Sequence, residues 1–153
     1  MDKDAFAYSN MGKLETKGAE LELEKRWDNG LKGLVSYAYQ ETENKQTDDP
    51  VTNSPMHLVK LKLMVPLLKD KIFAGLEEQY TSERILLDGK KADSFFITNL
   101  TFSAQNFMKG LEVFLSVYNL FDQKYEDPGS REHKQSAIEQ DGFGFRLKMT
   151  YRF

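Results

Sequence analysis

From Phe143 to the C-terminus every second residue is apolar: Phe143, Phe145, Leu147, Met149, Tyr151 and Phe153 interleave with Gly144, Arg146, Lys148, Thr150 and Arg152. A repeat of two is the period of an extended strand, whose side chains point to alternate faces; a helix would scatter the same residues around its circumference. The segment therefore reads as a strand with one greasy and one charged face. Its greasy face has to meet either a protein core or lipid. The same alternation governs Ala19, Leu21, Leu23 and Trp27 against Glu20, Glu22, Glu24 and Arg26, interrupted on the apolar side only by Lys25.

Five further runs lie between these two. Leu31 to Gln40 carries Val35, Tyr37 and Tyr39 on one parity, and His57 to Val65 sets Val59, Leu61, Leu63 and Val65 against Lys60 and Lys62. Ile72 to Thr81, Phe95 to Ala104 and Leu111 to Tyr118 are rich in the β-branched and aromatic residues that favour strands. Seven strands are predicted, several of about ten residues, longer than the usual mode of about five or six. No window shows a capped helical period, so the fold class is all-β, an antiparallel up-and-down arrangement.

The connections sort by length. Short turns are predicted at Asp28-Asn29-Gly30, around Pro66 to Lys71 and at Gln105 to Gly110, the first carrying the Asn-Gly hairpin signal. Long polar stretches, Glu41 to Pro55, Glu83 to Asp93 and Asn119 to Gly142, fall between them. In a meander, all short turns then lie at one end of the sheet and all long loops at the other, the asymmetry of an outer-membrane barrel. Strands of about 9 to 11 residues also suit a tilted crossing of a bilayer. The expected fold is therefore an antiparallel up-and-down transmembrane β-barrel segment. The alternative is a small soluble (meander or lipocalin-like) or membrane β-barrel binding an apolar ligand inside, and its soluble form requires the inverse facing: apolar parity inward, charged parity outward.

Composition leaves this choice open. The 153 residues carry 21 basic and 24 acidic side chains and no cysteine, which excludes disulfides and thiolate chemistry and offers no basic nucleic-acid surface. A mean hydropathy of −0.58 resembles that of a soluble protein, but alternating strands cancel in any such average. The longest apolar run, Leu63 to Leu68, is far too short for a spanning helix.

Three motifs resemble the C-terminal part of the barrel of TonB-dependent outer-membrane receptors. Asn10-Met11-Gly12-Lys13 leads into Thr16-Lys17-Gly18-Ala19-Glu20-Leu21-Glu22-Leu23, similar to the family's Asn-x-Gly-Lys and Gly-x-Glu-x-Glu strand; Asn53-Ser54-Pro55-Met56-His57 is similar to its entry from an extracellular loop. Asn119-Leu120-Phe121-Asp122-Gln123-Lys124-Tyr125 stands one long loop before the last strand, as in the family. The resemblance implies a bacterial outer-membrane receptor that takes up a nutrient complex, foremost a ferric siderophore, with energy from the TonB complex. Such transporters have about 22 strands around a plugged lumen. Seven strands would make up the last third. No plug, energy-coupling box or secretory signal is read in the sequence, since Met1 to Tyr8 has no apolar core. The chain is thus expected to be the C-terminal portion of a longer receptor, reaching TonB through a plug domain not present here.

Several residues carry specific expectations. Leu147, Met149, Tyr151 and Phe153 resemble the terminal assembly signal of outer-membrane barrels, implying contact with the barrel assembly machinery and the membrane lipid. Asn119, Leu120, Phe121, Asp122 and Tyr125 are assigned to structure at the rim of the sheet. Glu20, Glu22 and Glu24, with Lys60, Lys62, Arg146, Lys148 and Arg152, are expected to face a watery lumen, the glutamates pairing with basic groups of neighbouring strands or a plug, because a lipid-facing row of charges is costly. Leu21, Leu23, Leu147 and Met149 are expected on the outer face, and Trp27, Tyr37, Tyr39, Tyr80, Tyr151 and Phe153 in interfacial girdles. Alternation leaves the facing of Glu77 and Glu78 open. His57 and His133 are read as ordinary solvated histidines, the glutamate row as no metal site, and no catalytic or cofactor-binding constellation is found.

Overall fold

A computed structural model describes residues 13–45, 49–68, 71–130 and 132–153. The Asn10-Met11-Gly12 start of the first motif lies outside the described residues. In chain order the strands are β1 (Leu14–Arg26), β2 (Lys32–Asn44), β3 (Asp49–Pro50), β4 (His57–Leu68), β5 (Ile72–Thr81), β6 (Arg84–Ile85), β7 (Lys91–Ala92), β8 (Phe95–Met108), β9 (Leu111–Tyr118), β10 (Glu126–Pro128), β11 (Ala137–Glu139) and β12 (Gly144–Tyr151). The long ones form one sheet in the order β1-β2-β4-β5-β8-β9-β12, each antiparallel to its neighbour, with β3 beside β2. The sheet is open: among the described residues β1 and β12 each pair on one side only.

The seven predicted strands are all present, and where boundaries differ the cause is pairing rather than pattern. β1 begins at Leu14 and β2 continues to Asn44 because Leu14 to Gly18 pair with Gln40 to Asn44, the Thr16 and Thr42 hydroxyls meeting at 3.0 Å. Both strands outrun their hydrophobic alternation. β4 passes through Pro66, which lacks a ladder N–H, and the register with β5 shifts between Pro66 and Leu68 to accommodate it. β8 runs on to Met108, so its turn shrinks to Lys109 and Gly110; Gly110 has φ 76°, and a Cβ there would overlap the Arg152 carbonyl. The long connections also hold small hairpins of their own, β6–β7 and β10–β11.

Register sorts the two faces. One row runs Leu21–Tyr37–Val59–Tyr80–Phe96 and another Leu63–Leu76–Leu100–Val117–Phe145, all on one side of the sheet. The opposite side carries Glu20, Glu22, Glu24, Ser36, Lys60, Lys62, Glu77, Asn99, Thr101, Ser116, Arg146 and Lys148. The apolar side is uncovered: Leu23 is 63% and Met149 63% exposed, and Leu21 and Leu147 are similarly open. A soluble barrel would have to bury these residues in a closed core. Among the described residues the buried apolar side chains are instead Leu86, Ala92 and Phe95, all in or beside the connection between β5 and β8.

The sheet also settles the adjacent glutamates of β5. Glu77 stands opposite Lys62 on the polar side, in an ion pair of 3.0 Å. Glu78 stands opposite Leu61 and Thr98 on the apolar side, its carboxylate accepting the Thr98 hydroxyl at 2.9 Å. Lys25, the other interruption of the apolar parity, lies near the short-turn end with its ammonium 5.2 Å over the Trp27 ring, a route by which a long side chain leaves an apolar surface.

Candidate functional site

At the long-loop end of the polar face, the three long connections converge on a cleft of about 390 Å³. The wall consists of strand residues Leu58, Gln79, Ile97 and Asn99, and the rim of Asn53 and Pro55 from the first connection, Arg84 from the second and Tyr125 and Asp127 from the third. The loops stay together through main-chain bonds as well: Asn53 N–H donates to the Ile85 carbonyl at 2.9 Å and Ser82 N–H to the His57 carbonyl at 3.0 Å, while His57 N–H donates to the Ser82 hydroxyl at 3.0 Å.

Arg84 is the centre of this arrangement. Its side chain is only 6% exposed, its Nη1 lies 2.5 Å from Asp127 Oδ1, and its Nη2 donates to the Glu126 carbonyl at 2.8 Å. The guanidinium also sits 5.1 Å from the Phe95 ring centre, and Phe95 contacts Tyr125 at 4.3 Å between centroids. Burying a charge requires such compensation. The compensation is incomplete, because Arg84 Nε is buried without a partner. Burial, and then the carboxylates of Asp127 and Asp141, push the Tyr125 phenol above its ordinary value, so it stays a neutral hydroxyl.

The Asn-Leu-Phe-Asp segment organises the third connection. Asn119, buried and at φ 47°, donates its N–H to Asn99 Oδ1 (2.9 Å), accepts from Gln123 N–H (2.8 Å), and donates through Nδ2 to the carbonyls of Gln123 (2.9 Å) and Asp141 (3.3 Å). Leu120 N–H donates to the Thr98 carbonyl at 2.8 Å. Asp122, at φ 51°, accepts the Phe143 N–H; that bond first, and the nearby Lys124 ammonium second, hold its carboxyl below the usual range. Asn and Asp tolerate the left-handed region better than most residues, which suits them to these two positions. Phe121 points outward, 75% exposed, while Tyr125 lines the cleft rather than the rim alone.

The remaining candidates are dispersed. Leu147, Met149 and Tyr151 stand on the apolar side, with Phe153 just beyond β12. Opposite Glu20, Glu22 and Glu24, β2 offers Ala38, Ser36 and Leu34, so the expected pairing with that strand does not occur; Glu24 pairs instead with Arg26 of its own strand at 2.7 Å. His57 Nδ1 meets the Tyr37 hydroxyl at 2.9 Å, and His133 Nδ1 the Ser130 hydroxyl at 2.8 Å, so the two histidines serve separate local contacts. Sequence reasoning did not single out Arg84, Phe95 or Asp127. Arg84 lies in a polar connection, and no spacing links it to a carboxylate 43 residues away.

The family model described as "TonB dependent receptor-like, beta-barrel" matches residues 2–120. The chain belongs to that family of outer-membrane barrels. No curated protein matches it in sequence. Among solved structures, the ferric-catecholate import receptor Fiu from K12 E. coli is similar with a TM-score of 0.77 at 19% identity, covering 98% of this chain and 22% of that one. The siderophore receptor PiuA from Acinetobacter baumannii follows at 0.75, 18% identity and 92% and 22% coverage, and the copper transporter OprC at 0.74, 18%, 92% and 24%. At such identities the likeness is one of fold. The chain spans about a fifth to a quarter of the length of these structures.

Proposed function

We propose that this chain forms the C-terminal portion of the barrel of a TonB-dependent receptor, which binds a ferric siderophore outside the cell and passes it inward unchanged. The observation that carries this reading is the division of labour between faces: an uncovered apolar face for the membrane, and a polar face whose long-loop end forms a cleft. The names of several similar structures, which include siderophore receptors, support the choice of ligand. On this reading a plug elsewhere in the receptor contacts TonB, Leu147, Met149, Tyr151 and Phe153 engage the barrel assembly machinery, and the apolar face contacts outer-membrane lipid. No bond of the ligand is made or broken, so the role is transport rather than catalysis. The test is uptake of radiolabelled iron by the intact receptor containing these strands, in a host unable to make siderophores. Uptake that depends on an added ferric chelate and stops on deletion of TonB supports the proposal; uptake indifferent to TonB overturns it.

A further inference from the structure

Within that reading, we infer that the cleft selects ligands presenting an uncharged, hydrogen-bonding face, and that Asp127 is the residue that sets this preference. Among the described residues the cleft's single lining cation, Arg84, is buried and is met by Asp127, whose side chain is 45% exposed, so the charged lining group that faces a newcomer is the carboxylate. Asp127 Oδ1 is engaged by Arg84, which leaves the other oxygen as an acceptor.

The other polar groups of the lining are neutral: the amides of Asn53, Gln79 and Asn99 and the hydroxyls of Thr81 and Tyr125. Amides both donate and accept, which suits a ligand rich in amide or hydroxamate groups. Asp141 adds a further negative charge near the Tyr125 hydroxyl. Cations lie farther from the rim on the same face: Lys60, level with Gln79 in the register, and Lys62, paired with Glu77 at 3.0 Å. Lys91 and Lys124 are exposed on the second and third connections, each beside a carboxylate (Glu83 and Asp122), and within the lining a polyanionic chelate meets the Asp127 carboxylate and no exposed cation among the described residues. A neutral chelate meets hydrogen-bond partners on the wall and the Phe95 and Tyr125 rings, which meet at a tilt of 36°. Placing like charges together is how binding sites reject wrong partners, and here the like charge is supplied by a side chain whose other task is to hold Arg84.

The experiment measures binding of two probes, a neutral ferric trihydroxamate and a trianionic ferric tris-catecholate, to outer membranes carrying the intact receptor. Wild type is expected to favour the trihydroxamate. Asp127→Asn uncovers the Arg84 charge and is expected to shift the affinity ratio about tenfold toward the tris-catecholate. Arg84→Gln leaves the carboxylate unneutralised and shifts the ratio the other way, and the double variant returns it near the wild-type value. The opposite signs keep the inference exposed even if one single variant fails to insert. A wild type that favours the tris-catecholate, or a ratio that neither substitution moves, overturns the inference and leaves the receptor standing. A wild type that binds neither probe and imports no iron overturns the receptor reading itself, and this one with it.

Discussion

The carboxylate of Asp122 accepts the backbone N–H of Phe143 at 2.8 Å, tying the start of the longest connection to the residue just before β12. Asn119 makes a parallel tie through its amide to the Asp141 carbonyl at 3.3 Å. The loop between them is thus closed at its base, and β10, which carries Asp127, starts from a fixed neck.

The Asp122 contact has a pH signature. Its carboxyl is held below the ordinary aspartate value of 3.8 by the Phe143 N–H and then by Lys124. Protection from this group is therefore complete above the ordinary aspartate range and is lost as pH falls through the depressed folded value. Hydrogen exchange at the Phe143 amide in the micelle-solubilised receptor should accelerate relative to neighbouring strand amides in that acidic window. Asp122→Asn keeps an acceptor but should flatten the dependence; an unchanged acid profile in the variant would contradict the assignment.

The two glutamates of β5 should respond oppositely to loss of charge. Glu78→Gln retains an acceptor for Thr98 while removing a charge from the apolar face, and should raise stability in phospholipid vesicles by about 1 kcal/mol. Glu77→Gln breaks an ion pair in which both side chains are about half exposed, and should lower it by no more than about 1 kcal/mol. Urea unfolding midpoints read both; a reversed order would assign the faces wrongly.

Removing Asp127, the half-exposed partner of buried Arg84, should cost more than replacing both members. Asp127→Ala strands the Arg84 charge and is expected to destabilise the 82–94 connection by about 3 kcal/mol, against much less for Arg84→Met combined with Asp127→Leu. Protease nicking within that connection reports the difference. Equal nicking of the two variants would show that Arg84 finds other compensation.

Deleting Phe153 from the intact receptor should reduce the amount recovered in the outer membrane, while leaving any inserted molecules with wild-type heat stability. Unaltered recovery would remove Phe153 from the assembly signal.

The sheet was legible because lipid and water impose opposite demands on adjacent residues, and Phe143 to Phe153 and Ala19 to Trp27 write that demand as strict alternation. The loop sorting followed from the same strands. Strand ends were less legible: Leu14 to Gly18 and Glu41 to Asn44 carry no hydrophobic period and are held by each other. Glu77 and Glu78 could not be separated by composition, since only the partners Lys62 and Leu61 reveal which is which. The cleft was least legible. Arg84 and Asp127 are an ordinary charged pair in two polar stretches, and their meeting depends on β8 and β9 placing the second and third connections side by side.

The open sheet has an arithmetic consequence. With seven long strands alternating in direction, β1 and β12 run the same way, so they cannot become antiparallel partners by curling the sheet onto itself. Nor can identical copies close a ring by joining the last strand of one to the first of the next without a parallel seam. Whatever completes an antiparallel barrel here must cross an odd number of times; a wall of roughly 22 strands leaves about fifteen, and satisfies that parity.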